Sequence, residues 1–80
     1  MLTWKMGRNG NQASRYNGKQ RTEYTVTPDS SRWIASWALR DANAEPTSTP
    51  FDHGVIGDDY PSEEEAMAAC ELRANQQEDK

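Results

Sequence analysis

The C-terminal third of the chain predicts a helix with almost no bulk on its buried side, and that property limits the possible folds more than any other. In "YPSEEEAMAACELRANQQ", Ser62 is placed to cap a helix, Glu65 follows in capping-box spacing, and Glu63 and Glu64 sit where the positive end of the helix dipole favours carboxylates. The pattern predicts a helix over about 63–76. Its apolar stripe is Ala66, Cys70 and Ala74, with Met67 and Ala69 beside it. So flat a stripe cannot fill a core alone, so the helix needs a partner surface that supplies volume.

The first half of the chain offers that surface as strands. "LTWKM" alternates, with Leu2, Trp4 and Met6 on one side. "QRTEYTVT" is the clearest strand, placing Thr22, Tyr24 and Val26 on one face and Glu23, Thr25 and Thr27 on the other. Pro28, Asp29 and the serines after them read as a turn into "RWIASWALR". There, counting by two puts Trp33, Ala35, Trp37 and Leu39 on one face. Helical counting would also bring Trp33 and Trp37 together, and the hairpin partner and aromatic content favour a strand. Between these segments, "GRNGNQASRYNGKQ" holds two Asn-Gly pairs suited to tight turns. Residues 13–17 within it are compatible with a strand between two turns or with a mobile loop.

Residues 41–53, "DANAEPTSTPFDH", contain two prolines and read as a surface loop, with Phe51 as its expected anchor on the body. "GVIG" is compatible with a short strand of Val55 and Ile56. The expected fold is α+β, a small antiparallel sheet of three to four strands packed against one C-terminal helix, in a single small domain over 1–80. Its polar hairpin or loop covers 7–21. The expected core is Trp4, Tyr24, Val26, Trp33, Ala35, Trp37, Leu39, Ile56, Ala66, Met67, Cys70 and Ala74.

With 80 residues and 34% apolar content, the core has few side chains to draw on, and the three tryptophans are its largest candidates. No apolar run is long enough to span a membrane, the start lacks the apolar stretch of a secretory signal, and a single cysteine suits a reducing compartment. A cytoplasmic protein is expected. The net charge of -4 divides unevenly: residues 1–40 sum to +5 and residues 41–80 to -9. Such a division shapes the field that partners meet.

Chemistry-bearing constellations are weak. His53 lies near Asp52, Asp58 and Asp59, but the spacing fits neither a calcium loop nor a zinc helix, so no metal is expected. Cys70 falls mid-helix on the buried stripe, where a thiol behaves as a small hydrophobe. The Glu63–Glu65 run is explained by the helix dipole. No enzyme and no cofactor are expected.

Binding residues are easier to nominate. Arg8, Arg15, Lys19 and Arg21, with Tyr16 for stacking, would suit a nucleic-acid backbone, against the opposition of an acidic second half. Asp58, Asp59, Glu63, Glu64, Glu65 and Glu71 could imitate phosphates and occupy a DNA-binding protein's site. Leu72 points away from the Ala66 and Ala74 stripe and is ordinary surface, the anchor of a partner or dimer contact, or, if the stripe is wide, core. Oppositely charged halves also permit a weak, salt-sensitive homodimer.

"LTW", "EYTVTP", "RWIASW" and "PSEEEAMAACE", in that order, resemble small accessory proteins of bacteriophage and prophage genomes. The resemblance spans most of the chain, and its motifs are structural rather than chemical, so no catalytic residue is implied. The segments "RNGNQASRYNGKQ" and 41–53 are not covered by it. It implies a phage-borne accessory protein in the host cell's cytoplasm, of a kind that often engages a host or defence protein. Protein recognition through Arg15–Arg21, Phe51 or the acidic helix is the leading expectation, with nucleic-acid binding next and an acidic DNA mimic third.

Overall fold

The computed structural model describes residues 2–7, 10–45 and 47–78. Five strands precede one helix: β1 Trp4–Gly7, β2 Gly10–Asn17, β3 Gln20–Asp29, β4 Arg32–Asp41, β5 Asp52–Tyr60 and α1 Glu63–Glu78. All neighbours pair antiparallel, in the spatial order β1-β2-β3-β4-β5. The α+β architecture matches expectation, with five strands in place of three to four.

The extra strands come from two segments that look like loops. β2 occupies most of the polar stretch 7–21, because Asn11 to Asn17 find ladder partners from Val26 to Gln20 on β3. Hydrogen bonding on both flanks offsets poor strand propensity there. A two-residue loop, Gly18–Lys19, closes the β2–β3 hairpin, with Gly18 at φ 66°; the turn therefore sits one residue later than Asn17-Gly18. β5 runs through Asp52–Tyr60, well beyond Val55 and Ile56, so the loop expected over 41–53 is shortened from both ends. Two register shifts opposite Trp33–Ser36 bend β5.

The pairing register sorts side chains as the alternation requires. Trp4, Ala13, Tyr24 and Trp37 lie in one cross-strand row, and Asn11, Val26 and Ala35 in the next, all facing α1. Lys5, Gln12, Thr25 and Ser36 occupy the opposite face. The buried core is Leu2, Ala13, Tyr24, Val26, Ala35, Ala66, Cys70 and Ala74. The flat helix stripe thus rests on Tyr24 and Val26, while Trp4, Trp33 and Trp37 are half-buried around them. The tryptophans wall the core rather than form its centre. Leu39, expected in the core, is half-exposed and outside it, and Ile56 and Met67 pack at its margin.

At the helix start, the Ser62 hydroxyl accepts a hydrogen bond from the Glu65 amide at 3.3 Å, the cap that the sequence predicts. The N-terminus is tied to the same helix, since the Leu2 amide donates to Glu71 Oε1 at 2.7 Å. Among the described residues, no helix is long and apolar enough to cross a membrane.

Candidate functional site

α1 packs over β3, β4 and β5, with Asn11 and Ala13 of β2 buried beside it, so its position leaves the β1 edge of the same sheet face less covered. A crevice opens along that flank. Trp4 forms its floor, and one side of α1, presenting Met67, Ala68 and Leu72, forms its wall. Leu72 is 60% exposed, and Trp4 and Met67 are half-buried. This side of the helix follows helical spacing from Glu64 through Met67, Ala68, Glu71 and Leu72 to Asn75, well round the helix from the stripe at Ala66, Cys70 and Ala74. The structure removes the core reading of Leu72 and leaves it at the surface.

The charges at the crevice have one sign. Glu64 and Glu71 line it. The nearby cations turn elsewhere: the Arg73 guanidinium sits 4.8 Å over the Trp37 ring, with its Nε buried and without a hydrogen-bond partner, and Arg15 donates to the Ala74 carbonyl at 3.4 Å. Arg73 is held by a cation–π contact against the core. Glu63 accepts from the Asn11 amide, which also approaches the Met67 sulfur at 3.9 Å.

The nominated basic residues are separated by the pleat. Arg8 lies outside the described residues. Arg15 faces α1, whereas Tyr16, 65% exposed, and Arg21 face the other way. Lys19 is exposed at the hairpin loop, where its carbonyl accepts from the Ala42 amide at 2.8 Å. Arg21 is buried and committed: it donates to Glu23 at 2.8 Å and to the carbonyls of Asp41 and Ala42 at 3.2 and 2.8 Å. Glu23 also pairs with Arg40, whose Nε donates to the Ser48 carbonyl at 3.1 Å. These two arginines are cross-strand neighbours with one carboxylate between them. They fasten Asp41, Ala42 and Ser48 to the sheet, a role that residue type and spacing alone do not distinguish from a binding patch.

Phe51 does not pin that connection by its ring, which is 64% exposed; the anchor is its amide, donating to the Leu39 carbonyl at 2.7 Å. Asp58 and Asp59 are exposed near the end of β5, Asp59 lying 4.0 Å from Arg32. His53 is exposed at the other end of that strand. Among the described residues, no three His, Cys, Asp or Glu side chains gather in a way that could hold a metal ion. Burial, with a smaller contribution from Glu71, pushes the Cys70 thiol up to about 11, which keeps it protonated at neutral pH and poorly nucleophilic.

The sequence singled out Leu72, and Glu64 and Glu71 within an acidic surface, but not Trp4, Met67 and Ala68 as parts of one site with them. Leu72 falling off the buried stripe was the available signal; the floor beneath it comes from the opposite end of the chain. Compared with protein-family models, curated proteins and solved structures, the chain matches none.

Proposed function

We propose that this chain is a noncatalytic protein-recognition module of the phage-accessory kind, which engages a host or defence protein through the crevice between α1 and β1. The observation that supports the reading is the exposed Leu72 beside half-buried Trp4 and Met67. A mostly exposed leucine next to an indole and a thioether presents continuous apolar surface, and such surface on a small domain favours association. The carboxylates at its edge favour a partner of complementary charge.

A tagged chain is used to capture partners from lysate of its host cell, with and without nuclease, alongside Leu72→Glu. The expected result is a discrete protein that survives nuclease and is lost from the variant. Capture that disappears with nuclease would overturn the reading in favour of nucleic acid on the opposite sheet face, where Lys5, Gln12 and exposed Tyr16 lie. A captured protein retained by Leu72→Glu would move recognition away from the crevice.

A further inference from the structure

The sheet and its helix are mismatched in width. Five strands about 4.8 Å apart make a sheet roughly 19 Å across, whereas one helix with its side chains covers about 10–12 Å. α1 packs over β3, β4 and β5, and the α1-facing Asn11 and Ala13 of β2 are buried beside it, so the uncovered width lies over β1 at the sheet edge. The crevice occupies that flank, with an apolar floor at Trp4 and an apolar wall at Met67, Ala68 and Leu72.

Resting on the protein-recognition reading, we infer that the occupant is a cationic amphipathic helix of a partner protein, lying beside α1 over β1. Its form follows from the space. The wall runs from Glu64 to Asn75, about 16 Å at the helical rise, which matches roughly three turns of a second helix packed alongside. β1, with only four residues, offers a short edge for pairing with an extended segment. The partner's charge follows from the lining. Glu64 is exposed there, Glu71 keeps its charge while accepting from the Leu2 backbone amide at 2.7 Å, and Arg15 and Arg73 are engaged with the Ala74 carbonyl and the Trp37 ring. A helix with a leucine-type stripe flanked by lysine or arginine would place apolar groups on Trp4 and Leu72 and cations beside the two carboxylates.

The test uses the full chain and three synthetic peptides of about four turns: leucine and lysine in amphipathic helical order, the same residues scrambled, and the amphipathic pattern with glutamate replacing lysine. Calorimetric titration is expected to give binding of the first in the range of tens of micromolar, with the other two at least about tenfold weaker. Leu72→Ala, at an exposed position where alanine suits the helix, is expected to weaken the first peptide about tenfold. Glu64→Gln is expected to weaken it about threefold at low salt and little at high salt. Equal binding of all three peptides, or unchanged binding to Leu72→Ala, would overturn the inference. Sedimentation of the chain alone is run in parallel: a salt-resistant dimer lost in Leu72→Ala would assign the crevice to a second copy and also overturn it. If the cationic peptide fails while a captured protein still depends on Leu72, the partner's chemistry is wrong and the recognition reading stands.

Discussion

Cys70 and Tyr24 are among the most deeply buried side chains in the molecule, and both hold their protons more tightly than in water. Burial is the main cause for each; at Tyr24 it outweighs the opposing influence of Arg15 and Arg73. For Cys70 the unfolded thiol ionises near 9.0 and the folded one near about 11, so the folded chain keeps a proton that the unfolded chain releases. Stability from this residue is therefore complete below pH 9 and is lost as pH rises towards 11, by roughly 2 to 3 kcal/mol in all. Cys70→Ala should unfold slightly more easily at neutral pH, by about 1 kcal/mol for the lost sulfur, yet fall less steeply between pH 9 and 11. Urea titrations across that range would show it, and parallel pH profiles for the two proteins would refute it. The Arg21–Glu23–Arg40 group makes a second residue-scale prediction. Its side chains are only 7%, 21% and 14% exposed, so Glu23→Gln leaves two adjacent guanidinium groups with less compensation and should cost roughly 3 kcal/mol. A loss below about 0.5 kcal/mol would make the group an ordinary solvated cluster.

At the scale of elements, β5 shows why glycine in a strand is no argument against it. A Cβ on Gly54 would stand 2.8 Å from Trp37 Nε1 and 3.1 Å from Cε2, so the ring lies where only a glycine leaves room. Gly54→Ala should therefore cost about 1–3 kcal/mol by forcing the indole to tilt and weakening its stack with Arg73. Urea unfolding would measure that cost, and an unchanged midpoint would mean that the ring is free to yield. The same contact explains which elements were legible in the sequence. β3, β4 and α1 declare themselves through local alternation, capping and helical spacing, which need no partner to interpret. β2 and β5 are rich in Gly, Asn and Asp, and they become strands only because β1, β3 and β4 present ladders to them. Likewise, Leu72 could be seen to leave the helix stripe, whereas the crevice beside it required Trp4 to arrive from the other end of the chain. Tertiary pairing made both the full extent of these two strands, of which only 13–17 and Val55–Ile56 were legible, and the unread part of the site.

Across the whole molecule, the opposite charges of the two sequence halves become a difference between layers, although an incomplete one. Glu63, Glu64, Glu65 and Glu71 sit on the helix layer, while Lys5, Arg21 and Arg40 lie on the far face of the sheet. Glu23 neutralises part of that far face, and Arg15 and Arg73 reduce the acidity of the helix side from within. What remains favours one copy's helix layer approaching another's far sheet face, in a head-to-tail contact that does not close on itself. Exposed charges of this kind contribute little and are screened within a Debye length. Sedimentation velocity should therefore show a monomer at micromolar concentration, with a slight concentration-dependent increase in mass at about 50 mM salt that vanishes by about 500 mM. Association that strengthens with salt would have to be apolar in origin, and Leu72→Ala would then decide whether the crevice is its seat, because that substitution removes apolar surface from the helix layer while leaving every charge in place.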